Sequence, residues 1–219
     1  MTWAMTLHLR ELAVGRGGRR LLSGLNCDLL PGQATILRGP NGIGKSTLLR
    51  TLAGFSPPVS GNAELGEIKL TSPEDWQDQI AYAGHLDAVK PQLSVRQNLA
   101  FWAALYGVGQ VDAAVAGFDL AGFLDRDVHA CSAGQRRRLG LSRLLLVARP
   151  LWLLDEPSVS LDAASRQALA KVMQMHLNRG GLILMATHDD DLISGAGTME
   201  LGQYIAPKGN DAFLEGAFV

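Results

Sequence analysis

Between Gly39 and Thr47 the chain reads GPNGIGKST. The apolar run before it, QATILRG, reads as a buried strand, and KSTLLRTLAG after it reads as a helix with apolar residues at helical spacing and Gly54 at its end. Few folds accept a strand, a glycine-rich turn and a helix in that order with G-x-x-x-x-G-K-[ST] across the junction. The glycines let successive backbone N–H groups converge on phosphate oxygens, and the helix N-terminus adds positive potential. Gly39, Pro40, Asn41, Gly42, Gly44, Lys45, Ser46 and Thr47 are therefore candidate nucleotide-phosphate-binding residues. Lys45 is expected to neutralise the β and γ phosphates and Ser46 to ligate Mg²⁺.

A phosphate loop needs an acid to complete the metal site, and LWLLDEP supplies it. Asp155, at the end of a buried apolar run, is expected to hold Mg²⁺ through water. Glu156 follows directly, and on an extended chain its side chain diverges from that of Asp155, towards a water beside the γ-phosphate. His188 closes the run LILMATH and is expected to reach the same crevice, there to hydrogen-bond the γ-phosphate and orient the attacking water. Lys45, Glu156 and His188 form the expected catalytic set.

These motifs fit one domain spanning residues 1–219. With 47% apolar residues the chain can bury a good core once, but hardly twice. Runs near Leu7 to Val14 and Leu25 to Leu30, separated by GRGGRR, predict an antiparallel hairpin. From about Ser72 to Val147 the text turns largely helical, predicting an inserted helical lobe. After Pro150 the alternation of LWLLDEP, a helical stretch and GLILMATHD predicts a βαβ crossover and a parallel sheet with its ligand crevice beyond the strands' carboxyl ends. The tail from Thr198 offers one further strand. The fold class is thus α/β of the P-loop NTPase kind, with an antiparallel subdomain and the helical lobe.

A net charge of -1 gives no general electrostatic reason to expect nucleic acid, and the basic run QRRR reads as a solvated face. Cys27 and Cys131 lack metal-ligand spacing and fit a reducing compartment. MTWAMTLHLRELAVG does not read as a secretion signal, and LLLVARPLWLLDEP is interrupted by Arg149 and Pro150 short of the roughly 18 residues a membrane helix needs. Any membrane role is expected to come through a partner.

One stretch remains: CSAGQRRRLGLSR, from Cys131, opens what reads as a basic helix with small residues, a second phosphate grip in a chain that already has one. The order P-loop, CSAGQ, LWLLDEP, SLD (Ser160 to Asp162) and TH closely resembles the ATP-binding cassette (ABC) ATPases over nearly the whole chain. The resemblance implies a head-to-tail homodimer in which Ser132, Gly134 and Gln135 grip the γ-phosphate of ATP held by the other chain. Two positions depart from the family pattern. His85 falls where the family usually has the Q-loop glutamine, which senses magnesium and water and couples to a transmembrane partner. Arg16 falls where an aromatic usually stacks on adenine, a task a guanidinium plane can also perform.

Within the family, the GH at the Q-loop, NLAFWAALYG, SAGQRRR, RLLL and PLWLLDEP resemble the ATP-binding subunits of the haem-handling exporter of cytochrome c maturation. Phe101 and Trp102 of that pattern read equally well as lobe core. The resemblance implies a peripheral ATPase on the cytoplasmic face of the inner membrane. It would power release or transfer of haem-loaded chaperone through membrane-embedded permease subunits. No residue reads as a haem ligand, since His8, His129 and His176 have no pairing or C-x-x-C-H context. Two other classes stay open: a module that closes on ATP without useful turnover, to which His85 points, and a soluble ABC ATPase acting on nucleic acid or ribosomes. The single cassette without a long basic arm speaks against the second.

Overall fold

A computed structural model describes residues 2–189 and 191–207. Strands β1 (Leu7–Arg16) and β2 (Arg19–Leu29) form the predicted hairpin, turning at Gly17 and Gly18, both with positive φ. With β4 (Ser60–Leu65) and β5 (Ile68–Lys69) they make an antiparallel sheet in the order β2-β1-β4-β5. The second sheet is parallel, in the order β6-β7-β8-β3-β9, from β3 (Ala34–Arg38), β6 (Ile80–Ala83), β7 (Leu151–Asp155), β8 (Leu182–Ala186) and β9 (Gly197–Glu200). β9 is the strand expected in the tail; the tail beyond Pro207 lies outside the described residues.

Every residue of β7 and β8 is buried, as a parallel strand covered on both faces requires. Their side chains divide by the period of two. Leu151, Leu153, Leu182 and Leu184 join a core with Leu48, Leu49 and Leu52 of α1 (Lys45–Leu52) and the inner face of the antiparallel sheet. Trp152, Leu154, Ile183 and Met185 point the other way, into a core with α3 (Val95–Tyr106), α5 (Ala133–Ser142) and α6 (Ala163–Asn178). The short helix α2 (Pro73–Gln77) is anchored by Trp76, whose indole N–H donates to the Leu52 carbonyl at 2.6 Å.

The segment 72–147 is not helical throughout. Ile80–Ala83 is an edge strand paired with β7, so the helical region inserted into the parallel sheet begins after it. Four residues, IAYA, are too few to show a period against the helical text around them. Within the lobe, α3 starts on a capping box between Ser94 and Gln97 and ends at Gly107 in the left-handed region, φ 67°. The next helix, α4 (Asp112–Gly117), stops before Asp119, whose φ is 48°. Trp102 lies in the core, as the blander reading allowed, while Phe101 is 41% exposed.

His176 shows what the far side of this core is for. Its ring stacks on Trp152 with centroids 3.9 Å apart, and its Nε2 faces the carbonyls of Pro150 at 3.1 Å and Leu182 at 3.3 Å. Burial pushes its pKa down from 6.5 to about 4, overcoming the two carbonyls, which favour the charged form. Because the folded value lies below the unfolded one, the unfolded chain takes up the proton first as pH falls. Stability is then lost between about pH 6.5 and 4, by about 3 kcal/mol in all. Urea midpoints measured from pH 7 to 4 should fall more steeply for the wild type than for His176→Gln; parallel profiles would show that His176 does not carry this dependence.

Candidate functional site

The parallel strands end at one edge. β3 runs into Gly39, whose φ of 140° and close approach to Ile43 exclude a Cβ, and the loop returns to α1 through Gly44 at φ 123°. The first turn of α1 has neither a side-chain cap nor an acidic residue, so its N–H groups stay available to an anion. Lys45 Nζ donates to the Gly39 carbonyl at 2.7 Å, which holds the ammonium over the loop. Ser46 and Thr47 line a cleft of about 610 Å³ together with Arg16, His85 and Asp155. Pro40, Asn41 and Gly42 form the exposed crest of the loop.

The cleft thus unites residues from four parts of the chain that sequence alone connects only by motif. Its donors suit a hard cation beside a polyphosphate: the Ser46 hydroxyl and the largely buried Asp155 carboxylate are oxygens, which Mg²⁺ prefers. His85, an exposed imidazole at the end of β6, is better suited to hydrogen-bond water there than to enter the coordination sphere.

Glu156 departs from the expected extended geometry. Its φ is 49°, in the left-handed region, so its side chain leaves that of Asp155 by a turn of the backbone and not by strand alternation. Such a conformation is disfavoured for a residue with a Cβ and must be held by its surroundings. Its N–H donates to the Ala186 carbonyl at 2.8 Å, and its own carbonyl accepts from Arg137 Nη2 at 2.7 Å. The turn brings the carboxylate to 3.4 Å from His188 Nε2, with His188 exposed and Glu156 partly buried. His188, just after β8, therefore faces Glu156, while neither side chain lines the cleft around Ser46 and Asp155.

The second grip is built on α5. Ser132 Oγ accepts from the Gln135 N–H at 3.2 Å while the Gln135 side-chain carbonyl accepts from the Ser132 N–H at 3.0 Å, a capping box that leaves the Ser132 O–H free to donate. Gln135 is thus a capping residue with only its amide N–H groups uncommitted to the box. Ala133 is helical, in keeping with a non-glycine residue there, and a Cβ on Gly134 would come 2.8 Å from the Ser160 carbonyl. Asp162 of the same SLD segment caps α6 by accepting from the Ser165 N–H at 2.8 Å, which holds its carboxyl below the usual carboxylate range. Neither Ser132 nor Gly134 lines the cleft around Ser46 and Asp155.

QRRR is not a solvated face. Arg137 is buried, Arg138 donates to the Phe118 and Asp119 carbonyls, and Arg136 donates to the Cys131 carbonyl. The sequence did hold a signal for Arg137, which shares a helical stripe with Gly140, Leu141 and Leu144 at spacings of three, four and seven. Asn98 was also overlooked. Fully buried, it accepts from the Lys90 N–H at 2.8 Å and donates to the Lys90 carbonyl at 3.1 Å, fixing the far end of the segment that begins at His85.

The sequence profile of the ABC transporter family matches residues 22–159. The cytochrome c biogenesis ATP-binding export protein CcmA of Ruegeria pomeroyi is 50% identical over 202 residues, covering 92% of this chain and 94% of that protein. Its counterpart in Paracoccus denitrificans is also 50% identical, covering 92% and 91%. Among solved structures, a Pyrococcus furiosus protein described as an ABC transporter ATP-binding protein superposes with a TM-score of 0.79 at 25% identity, covering 92% of this chain and 100% of that one. CbiO1 of Clostridium perfringens, part of the ABC transporter complex CbiONQ, gives 0.73 at 25% identity over 87% and 81%.

The expectation that Glu156 serves as general base to a water beside the γ-phosphate is open to a direct test. Glu156→Gln keeps the shape and loses the base, so hydrolysis should fall by ~10² to 10⁴ while ATP affinity is retained. Phosphate release and nucleotide binding measured side by side check this; turnover within a few-fold of wild type would remove Glu156 from the role.

Proposed function

The chain belongs to the ABC transporter family, among the cytochrome c biogenesis ATP-binding export proteins, and we propose that it is the ATP-hydrolysing subunit of such an exporter, working as a head-to-tail homodimer. The observation that carries the reading is the set of strand ends at one edge of the parallel sheet: the P-loop after β3, His85 after β6 and Asp155 at the end of β7 line one cleft, and the adjoining Glu156 pairs with His188 after β8. Half-identity to the CcmA proteins over nine-tenths of the chain supports the choice of exporter.

In this reading the N–H groups of the loop and of α1 bind the phosphates, and Lys45 turns from the Gly39 carbonyl to them. Mg²⁺, when bound, neutralises phosphate charge, with Ser46 as a ligand and Asp155 reaching it through water. Glu156 takes the proton from the attacking water, and His188, already beside its carboxylate, holds that water and the γ-phosphate in line. Arg16 lies at the mouth of the cleft to stack on adenine. The free O–H of Ser132 and the N-terminus of α5 grip the γ-phosphate of a second copy; their separation from the chain's own cleft supports that division of labour.

Closing and reopening of the dimer is the work delivered. The partners are membrane-embedded permease subunits docking beside His85 and the helical lobe. There Phe55, Leu86 and Leu105 are 57%, 81% and 65% exposed, and a cleft of about 450 Å³ opens between Phe55, Leu86 and Tyr106. Among the described residues no helix is long and apolar enough to cross a membrane, so attachment through such partners on the cytoplasmic face is the arrangement proposed. The driven step is release or transfer of haem-loaded chaperone. No direct haem contact or nucleic-acid partner is assigned to this chain.

Mixing variant chains tests the composite site. With Lys45→Ala on one chain and Ser132→Arg on another, one site of the mixed dimer receives both lesions and the other stays intact. With both substitutions on one chain, mixing with wild type damages each site of the mixed dimer once. Hydrolysis above that of either variant alone is expected from the first mixture, and none attributable to the mixed dimer from the second. Equal activity in both would end the head-to-tail reading. Affinity capture of the tagged chain from solubilised membranes should retain integral membrane subunits; retention of ribosomes or nucleic acid in their place would overturn the exporter assignment.

A further inference from the structure

The Arg137 guanidinium touches three parts of the chain at once. It sits on α5, one turn beyond Ser132 and Gly134, and is 5% exposed. Nη1 donates to the Gly84 carbonyl at 2.8 Å and to Asp87 Oδ1 at 3.1 Å. Nη2 donates to the Glu156 carbonyl at 2.7 Å and lies 3.4 Å from that of Asp155, while Nε donates to the Pro157 carbonyl at 3.2 Å. An arginine has five N–H donors, and here each has its own acceptor. Only one of the five acceptors carries charge. The group therefore works mainly as a planar multi-donor clamp on backbone carbonyls, a geometry that lysine cannot reproduce.

What it clamps is informative. Gly84 immediately precedes His85, and Asp155 to Pro157 carry the proposed metal-site acid and general base. Glu156 needs a hold on its left-handed backbone, and both of its peptide groups are tied: β8 accepts its N–H, and its carbonyl accepts from Arg137 at 2.7 Å and, at the longer distance of 3.4 Å, from the Val159 N–H. α5 also lies tight against the His85 segment, where a Cβ on Gly140 would come 2.8 Å from Asp87. Arg143, at the end of α5, donates to the Tyr82 carbonyl at 2.8 Å, a second tie from the same helix to β6.

We infer that Arg137 is a positioning residue for hydrolysis: it holds Glu156 in its left-handed conformation and joins the helix that begins at Ser132, the Glu156 turn and the His85 segment into one body. A displacement of Ser132 by a phosphate would then shift the general base and His85 of the same chain, so that occupancy of one composite site bears on the other. The inference rests on the role proposed above for Glu156.

Arg137→Lys keeps the charge beside Asp87 and loses the fork. Single-turnover hydrolysis should fall about 10- to 100-fold while MgATP affinity changes less than about threefold, because the binding loop is untouched. In a Glu156→Gln background the same substitution should cost nothing further, since there is no base left to position; a packing defect would slow both backgrounds equally. Thermal unfolding of each variant reports folding. Asp87→Asn leaves the four carbonyl contacts in place and should keep turnover within about threefold of wild type. Arg137→Lys with near-wild-type turnover, or with equal losses in both backgrounds, overturns the inference while leaving Glu156 as base; wild-type turnover of Glu156→Gln alone overturns the base itself. If Arg137→Lys does not fold, Asp87→Asn decides: retained turnover supports the carbonyl clamp, and a 10-fold or larger loss shows that the guanidinium serves only as the partner of Asp87.

Discussion

A parallel sheet points all its strands one way, so whatever follows the strands must gather at one edge, and the registers decide how level those exits lie. Here Leu37 and Asp155 are both paired with Ala186, and Ala83 with Leu154. The chain thus leaves β3, β6, β7 and β8 within about a residue of a common height. The P-loop, His85, Glu156 and His188 lie along one edge of the sheet because of backbone pairing, before any side chain is considered. That pairing depends in turn on burying both faces of the sheet, which the two cores accomplish by sharing alternate residues of β7 and β8.

Much of this was legible because its signals are local. A glycine-lysine-serine loop between a strand and a helix, an apolar run closed by Asp155, and small residues opening a helix at Ser132 each fit within a dozen residues. What escaped was decided by contacts distant in sequence. β6 is a strand because β7 pairs with it, since IAYA has no period of its own. The left-handed turn at Glu156 depends on Ala186 and Arg137, some thirty and twenty residues away. QRRR was read by composition as solvated, yet Arg137 falls on the buried stripe of its helix, where carbonyls at the ends of two strands supply the acceptors that make a buried guanidinium tolerable.

The two departures from the family pattern fall at the cleft and differ in consequence. Arg16, the last residue of β1, is exposed and lines the cleft, where a planar cation is able to stack on a base or pair with phosphate, so its proposed role concerns the grip on the nucleotide. His85 lines the cleft, and its neighbour Leu86 lines both that cleft and the groove beside Phe55 and Tyr106, so the two adjacent residues connect the proposed nucleotide site to the proposed docking surface. A ring with two nitrogens on a short stem reaches fewer positions than a glutamine amide. Its placement consequently relies on the backbone around it, which is tied at Gly84 by Arg137 and at Lys90 by Asn98.

This reliance explains why the second phosphate grip is a helix and not another glycine loop. The P-loop need only wrap a ligand, and flexible glycines serve it well. In the proposed dimer α5 does more: its exposed N-terminus would be offered to another chain while its interior side chains tie the strand ends of its own. Ten helical residues span about 15 Å as a stiff rod. A capping box fixes the first turn without an acidic side chain to repel phosphate, and Gly134 and Gly140 let the rod approach Ser160 and Asp87 more closely than any larger residue would allow. Close approach and a guanidinium clamp on the same helix are what the inferred coupling requires: Ser132 opens the helix whose Arg137 is hydrogen-bonded to both Glu156 and the Gly84 that precedes His85.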